Sequence, residues 1–276
     1  YENYPDFVNA KTFISNDWEE IITNGYAINF SWLIVTINVW IIICVVSWAG
    51  VFLQDRSFSD AVKFEKSTAQ LSKYFSPDIR DKIQEAEIDI ETEKTNNQMV
   101  AVLFTDIQGF TSISESLTAD EVIQLLSEYQ DKMIKPIFQN SGTVDKFIGD
   151  ALLVFFGDPN SNGNKEDAVA CVSMAIEMLE RLKFLRKFWR DKGISKPLNA
   201  RIGIHTGVCT VGNFGSEDRL DYTIIGNGVN LASRIETNAE PNKILLSEDT
   251  YLLIKNNISC LKKQKISVKG ISYPVQ

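Results

Sequence analysis

The chain has 276 residues, of which 44% are hydrophobic, and a formal net charge of −8 at pH 7. This length allows about two structural units of roughly 150 residues, and the apolar fraction is sufficient for a hydrophobic core. The acidic balance argues against a general nucleic-acid-binding protein, because neutralising phosphates requires clustered Lys and Arg. Four widely spaced cysteines without a CxxC pair, and a single histidine, exclude the usual zinc sites and indicate reduced thiols.

The first predicted element is a long apolar helix. Residues 21–54 carry no charged side chain, and their centre, WLIVTINVWIIICVVSWAGVFL from Trp32 to Leu53, is long enough to cross a bilayer. Trp32 and Trp48 suit the two membrane interfaces. A buried helix of a soluble protein is the alternative, although such helices rarely run so far without a charged face. The sequence therefore predicts a transmembrane helix over residues 31–54, preceded by an extracytoplasmic segment, residues 1–30.

Charged residues on either side of the apolar run predict its orientation. Acidic residues precede the run and basic residues follow it, namely Asp17, Glu19 and Glu20, then Arg56, Lys63 and Lys66. Cytoplasmic flanks of membrane helices carry the excess of Lys and Arg. We therefore expect the rest of the chain to lie in the cytoplasm. A cleaved signal peptide fits poorly, since the residues before the run lack a basic region.

A charged stretch with spaced apolar residues follows, and it predicts a helical connector over residues 55–96. Pro77 interrupts it, because proline is tolerated in the first turn of a helix but not in its interior. A second short helix is therefore expected to begin near Ser76. The polar sequence EIDIETEKTNNQ then indicates a surface segment. The alternative is a solvated linker.

The remaining residues, 97–276, predict a globular α+β domain. An apolar strand from Val100 to Phe104 ends at Asp106, and the capping box that begins at Thr118 opens an amphipathic helix. The strands TVDKFIG and ALLVFF form a hairpin with Asp150 at its tip, and a long helix and further strands follow. The order β-α-β-β-α-β with additional strands is the ferredoxin-like, split βαβ palm.

Charged residues lie inside this apolar hairpin, in the sequence DKFIGDALLVFF, residues 145–156. Burying an unpaired charge costs several kcal/mol, so Lys146 and Asp150 are expected to serve a function. Asp106 and Asp150 lie at the ends of adjacent strands, and Mg²⁺ binds through one or two carboxylates together with substrate phosphate. The pair is therefore predicted to bind metal. The alternative is that Asp106 caps a turn and Asp150 serves only the hairpin.

Five segments in order resemble the successive motifs of the class III nucleotidyl cyclases. They are LFTDIQGFTSIS, DKFIGDALLVFF, RIGIHTGVCTVGNFG, DYTIIGNGVNLASRIE and the terminal VKG. KYFSPDI resembles the transducer segment that precedes such domains. The resemblance covers about residues 71–276, and it is to the bacterial, membrane-anchored type of adenylate cyclase.

The resemblance implies roles for single residues. Asp106 and Asp150 match the two metal aspartates, and Ile107 would offer its carbonyl to one ion. The turn Gly109-Phe110-Thr111 would bring backbone N–H groups to the triphosphate. Three more residues match the family's catalytic and phosphate-binding positions. Asn230 would orient the ribose, Arg234 would stabilise the transition state, and Lys269 would hold the terminal phosphates.

The resemblance also indicates which base is bound. Lys146 matches a donor to adenine N1 and Thr223 matches a partner of the exocyclic amine, whereas guanylate-forming relatives have Glu and Cys at these positions. ATP is therefore favoured over GTP. Asn227 departs from many bacterial members, which have Asp there. His205 is given only a structural role at a strand end.

Together these expectations describe a homodimeric adenylate cyclase in the bacterial inner or plasma membrane. It would convert ATP to 3′,5′-cyclic AMP and pyrophosphate with two Mg²⁺ or Mn²⁺ ions per site, at sites shared between two chains. Its partners would be ATP, a second copy and the lipid bilayer, with no nucleic acid. The alternatives are a guanylate cyclase and a non-catalytic, dimerising nucleotide-sensing module. A diguanylate cyclase is disfavoured because no GGDEF-like turn occurs.

Overall fold

The structure is a computed structural model that describes residues 13–23, 27–84, 95–192, 198–216 and 218–263. The chain divides into two units, Tyr1–Leu71 and Ser72–Gln276. Elements are numbered along the whole chain. The first unit contains strand β1 (Phe13–Ser15), helix α1 (Trp18–Thr23), strand β2 (Ala27–Asn29), which pairs in parallel with β1, and helix α2 (Phe30–Leu71).

Helix α2 is 42 residues long and contains the predicted apolar run. Trp40 and Val46 are 63% and 65% exposed, and most of the other apolar side chains of the run are exposed as well. Two polar residues of the apolar run are satisfied within the helix, since Asn38 Nδ2 donates to the Ile34 carbonyl and Thr36 Oγ1 to the Trp32 carbonyl, both at 2.8 Å. By length and mean hydropathy of 2.3, it is the one helix among the described residues that could cross a membrane.

The second unit is built on a six-stranded sheet in the order β4-β5-β3-β6-β7, with β8 paired to β6. All neighbours are antiparallel except β6 and β8. The strands are β3 (Thr95–Ile107), β4 (Thr143–Ile148), β5 (Ala151–Phe156), β6 (Ala200–Ser216), β7 (Arg219–Ile225) and β8 (Ile244–Leu246). The predicted βαββαβ order with additional strands is confirmed.

Five helices lie between or after these strands in the described part of the chain. They are α4 (Phe110–Ser114), α5 (Ala119–Gln139), α6 (Asn164–Asp191), α7 (Asn227–Thr237) and α8 (Glu248–Ile254). The capping box at the start of α5 is present as predicted, because the Thr118 N–H donates to Glu121 Oε2 and the Thr118 hydroxyl accepts from the Glu121 N–H. The larger core contains residues of α5 and α6, and the smaller one contains Ala232 of α7.

A short connector begins the second unit. It consists of a 3₁₀ turn, Ser72–Tyr74, and helix α3 (Pro77–Gln84), which starts at the proline. The buried Ser76 hydroxyl donates to the Val144 carbonyl at 3.0 Å and accepts from the Val144 N–H at 3.1 Å. Strand β4 is at the edge of the sheet, where backbone groups lack a neighbouring strand. Ser76 therefore satisfies two of them.

The hairpin of β4 and β5 contains a bulge. Val144 is opposite Val154 and Lys146 is opposite Leu153, so Asp145 is the extra residue of β4. A bulge bends its strand and redirects side chains. The hairpin then turns at Gly149, whose φ of 65° favours glycine, and at Asp150. Asp150 therefore lies at the tip, as predicted.

Candidate active site

Asp106 and Asp150 lie at the same end of the sheet. Asp106 is the penultimate residue of β3, and Asp150 is in the turn before β5, the strand that pairs with β3. The Ile107 N–H donates to Asp150 Oδ2 at 3.2 Å. Burial, followed by the hydrogen bond and negative charge of Asp106, raises the pKa of Asp150 to about 7. The two carboxylates therefore repel each other until a proton or a cation lies between them.

The guanidinium of Arg201 provides a positive charge beside Asp106. Arg201 lies opposite Asp106 in the register of β3 and β6, and its Nη2 is 3.0 Å from Asp106 Oδ2. Its Nε is 3.1 Å from Glu236 Oε1 at the C-terminal end of α7. A side chain at Gly203 would collide with the Glu236 backbone, so this glycine lets α7 lie against β6. Sequence reasoning missed Arg201, although a charge at the head of the apolar strand RIGIH was a usable signal.

The donor set fits a hard divalent cation. Asp106, Asp150 and the Ile107 carbonyl offer only oxygen, which suits Mg²⁺ or Mn²⁺ and not a soft metal. The described part of the chain contains no cluster of three or more His, Cys, Asp or Glu side chains. The remaining ligands of such an ion would therefore be water and substrate phosphate. The fully buried Tyr129 lies close enough for both carboxylates to help raise its pKa, chiefly raised by burial, to about 12.

The turn predicted to meet the triphosphate follows directly after Ile107. Gly109 has a φ of 71° and is the N-terminal cap of α4, whose first residues are Phe110 and Thr111. Glycine supplies no side-chain cap, and the Ile113 N–H donates to the Gly109 carbonyl at 3.1 Å. A Cβ at this position would meet no atom within 4 Å, so backbone conformation and not space favours glycine.

The two predicted base-reading residues are brought together by a third residue. Asp145 Oδ2 accepts a hydrogen bond from Thr223 Oγ1 at 2.6 Å, and Asp145 Oδ1 is 3.3 Å from Lys146 Nζ. The Asp145 side chain is 1% exposed, whereas that of Lys146 is 42% exposed. Burial raises the pKa of Asp145, and Thr223, Lys146 and the Ile224 N–H oppose this rise. Sequence reasoning assigned no role to Asp145.

The other predicted residues are placed as follows. Asn230 is exposed on α7, and Arg234, one turn later, is half-buried. Arg234 Nη1 is buried and has no hydrogen-bond partner among the residues that the structure describes. Lys269 lies outside the described residues. His205 is buried, with Nδ1 2.9 Å from Ser247 Oγ, and burial lowers its pKa, which agrees with a structural role.

Residues 92–275 match the family described as the adenylate and guanylate cyclase catalytic domain. The adenylate cyclase of Anabaena cylindrica is 33% identical over 190 residues, which are 66% of this chain and 36% of that protein. Adenylate cyclase 1 of Rhizobium meliloti is 37% identical over 139 residues, which are 50% of this chain and 20% of that protein. The chain therefore spans well under half the length of these curated relatives.

Solved structures that resemble this chain are also cyclases. The adenylyl cyclase CyaB of P. aeruginosa is 53% identical with a TM-score of 0.66, covering 67% of this chain and 94% of that one. The guanylyl cyclase Cya2 is 36% identical with a TM-score of 0.62, covering 65% of this chain and 90% of that one. The motifs, the sheet order and these matches agree, and the chain belongs to the class III nucleotidyl cyclase family.

Proposed function

We propose that this chain is an adenylate cyclase that converts ATP to 3′,5′-cyclic AMP and pyrophosphate. The observation that carries the proposal is the meeting of Lys146 and Thr223 at the carboxylate of Asp145. Guanylate-forming relatives have Glu and Cys at the positions of Lys146 and Thr223. The 53% identity to an adenylyl cyclase over 94% of that chain supports the same substrate.

The reaction is an in-line attack of the ribose 3′-hydroxyl on the α-phosphorus, and it needs no covalent enzyme intermediate. Asp106, Asp150 and the Ile107 carbonyl would hold two divalent ions, Mg²⁺ or Mn²⁺. When bound, the ions would supply activation of the hydroxyl and stabilisation of the pyrophosphate leaving group. Asn230 orients the ribose, and Arg234 stabilises the negative charge that develops on the phosphate. The turn at residues 109–111 and Lys269 hold the remaining phosphates.

The active site is shared between two copies of the chain. Lys146 and Asp150 lie on one short hairpin, but the base and the metal-bound phosphates of ATP lie at opposite ends of the nucleotide. Asp106 and Asp150 of one chain therefore serve the same ATP as Lys146, Thr223, Asn230, Arg234 and Lys269 of the other. Apolar side chains for such an interface are exposed beside both groups, at 44% to 61%, namely Phe147, Ile148, Val208 and Ile225.

Helix α2 anchors the enzyme in a bacterial inner or plasma membrane, with the catalytic domain in the cytoplasm. Residues 31–54 span the bilayer, residues 1–30 lie outside, and residues 55–96 connect the membrane to the catalytic domain, residues 97–276. The support is the length and hydropathy of α2 and the exposed apolar side chains around it. Anchoring two copies side by side raises their effective concentration.

The direct test incubates the purified full chain with ATP or GTP and either Mg²⁺ or Mn²⁺, and identifies the cyclic product. Cyclic AMP as the main product supports the proposal. Cyclic GMP as the main product would establish the second candidate, a guanylate cyclase, which the 36% identity to the guanylyl cyclase Cya2 favours. Nucleotide binding without either product would show a non-catalytic nucleotide-sensing module.

A further inference from the structure

Asp145 is a buried carboxylate that joins the two edges of the sheet. It lies on β4 and Thr223 lies on β7, and these strands are at opposite ends of the sheet order. Asp145 Oδ2 accepts from the Thr223 hydroxyl at 2.6 Å and from the Ile224 N–H at 3.4 Å. Its other oxygen faces Lys146 Nζ at 3.3 Å.

The bulge explains how neighbouring residues reach one site. Successive side chains of a regular strand point to opposite faces of the sheet. Because Asp145 is the extra residue between the Val144 and Lys146 pairings, this alternation is interrupted, and the carboxylate lies next to the ammonium that follows it. Ser76 holds both backbone groups of Val144 immediately before the bulge. The hydrogen bonds of Ser76 to Val144 on one side and the pairing of Lys146 with Leu153 on the other therefore determine the position of Asp145.

The carboxylate sets the hydrogen-bonding polarity of Thr223 and lies beside the ammonium of Lys146. An ionised carboxylate can only accept hydrogen bonds, so the single hydroxyl proton of Thr223 is used on Asp145. The Thr223 oxygen then has only lone pairs to offer a ligand. Lys146 has no acceptor, so it offers a ligand only protons. The pair therefore presents one acceptor and one donor.

This polarity matches one purine and opposes the other. Adenine carries a donor amine at C6 and an acceptor at N1, whereas guanine carries the acceptor O6 and the donor N1–H. Adenine would satisfy both side chains. Guanine would set an oxygen against the Thr223 lone pairs and an N–H against the Lys146 ammonium, and mispaired buried polar groups are costly.

We propose that Asp145 is a specificity-determining residue, which selects adenine by fixing Thr223 as an acceptor and by holding Lys146, a donor, beside it. It is a positioning residue, because it acts through these two side chains and not by touching the base. The inference rests on the proposed function in that it takes ATP as the substrate. It adds to that function the residue that sets the direction of the base contacts.

The test measures binding of two nucleotides that cannot be cyclised, 3′-deoxy-ATP and 3′-deoxy-ITP. Hypoxanthine differs from adenine only at C6 and N1, so the ratio of the two Kd values reports polarity at this edge alone. The full chain in detergent with Mg²⁺ is titrated by calorimetry, as wild type and as Asp145→Asn. The asparagine keeps the shape, but its amide can donate to Thr223 and it carries no charge for Lys146.

We expect the wild type to prefer 3′-deoxy-ATP and Asp145→Asn to reduce that preference on the order of tenfold. If Asp145 had only a structural role, its replacement would weaken the binding of both nucleotides by the same factor. An unchanged ratio of the two Kd values would therefore overturn the inference. No preference in the wild type would overturn it as well. In a Thr223→Val background, the effect of Asp145→Asn should shrink, because no hydroxyl remains to be oriented.

A matched pair of variants keeps the inference falsifiable if Asp145→Asn does not fold. Thr223→Ser keeps the hydroxyl and should keep the preference, whereas Thr223→Val should lose most of it. Retention of the full preference by Thr223→Val overturns the inference. Failure of the enzyme proposal is a separate result, since it is read from cyclic AMP formation by the wild type and the Kd ratio needs no turnover.

Discussion

The two aspartates of the β4–β5 hairpin, Asp145 and Asp150, are in opposite electrostatic surroundings. Asp145 receives the Thr223 hydroxyl, the Ile224 N–H and the charge of Lys146. Asp150 receives the Ile107 N–H and faces the carboxylate of Asp106. The first carboxylate is compensated by its own chain, so it can hold other side chains in place. The second is left with excess negative charge, so it is suited to bind a cation from solution.

The largest effect is expected from Asp150→Asn. We expect turnover to fall on the order of 10³-fold or more, because the neutral amide cannot hold a divalent ion next to Asp106. Cyclic AMP formation with Mg²⁺ and with Mn²⁺ is the measurement. Asp131→Asn removes an exposed, ion-paired carboxylate of α5 and is the matched control. Near-normal activity of Asp150→Asn with Mn²⁺ would falsify the metal assignment.

A second test separates the metal-binding half of the shared site from the half that binds the base and ribose. Asp150→Ala and Asn230→Ala should each be inactive alone, and co-assembly should restore part of the activity. The mixed dimer gathers both lesions into one site and leaves the other site complete. The measurement is cyclic AMP formation by co-expressed chains carrying two different tags. Inactive mixed dimers, under conditions in which wild-type chains exchange freely, would contradict the shared site.

The residues proposed to contact the base can be changed without changing those proposed to bind metal. Replacing Lys146 by Glu and Thr223 by Cys should move the ratio of kcat/KM for ATP and GTP toward GTP by a factor on the order of 10². The donor and acceptor at C6 and N1 are reversed between adenine and guanine. The two replacements reverse the donor and the acceptor of the site in the same way. Kinetics with both nucleotides measure the shift. An active double variant that keeps its full ATP preference would show that these residues do not read the base.

A smaller effect concerns stability and pH in the absence of metal. The pKa of Asp150 is raised to about 7 by burial and by Asp106, whereas that of an unfolded Asp is about 4. The folded chain therefore binds more protons than the unfolded chain between these values. Its free energy of unfolding should accordingly fall as the pH rises from about 4 to about 7.

Asp150→Asn should remove this dependence. The side chain is partly exposed, so we expect a gain on the order of 1 kcal/mol at pH 8 after solvent screening, and none near pH 4. Thermal unfolding in chelator across this pH range is the measurement. If the free energy of unfolding depends on pH equally in the variant and the wild type, burial and Asp106 do not raise the pKa of Asp150.

A further effect on stability, of similar size, concerns the connector that contacts strand β4. Ser76→Ala leaves the Val144 N–H and carbonyl without the hydroxyl that bonds both, so it should lower the free energy of unfolding by about 1–2 kcal/mol. Amide exchange at Val144 should accelerate more than exchange elsewhere in the sheet. Ser127→Ala, on the exposed surface of α5, is the control and should be nearly neutral. An unchanged exchange rate at Val144 would show that the connector does not hold β4.

Local sequence patterns were enough to predict the elements whose causes are local. The capping box at Thr118 predicts the start of α5, Pro77 predicts the start of α3, and the turn at Gly149 places Asp150 at a hairpin tip. Asp106 and Asp150 could be paired because β5, which begins just after Asp150, lies next to β3 in a split βαβ fold. The family motifs then supplied the roles, which spacing alone could not.

Contacts between residues that are distant in the sequence could be found only in the folded structure. Arg201 pairs with Asp106 because β6 runs beside β3 in one register, and Asp145 meets Thr223 because a bulge redirects it toward the other edge of the sheet. Neither contact leaves a periodic trace in the sequence. Strand order, register and bulges follow from the packing of the whole sheet against its helices, and a shift by one residue would turn these side chains to the opposite face.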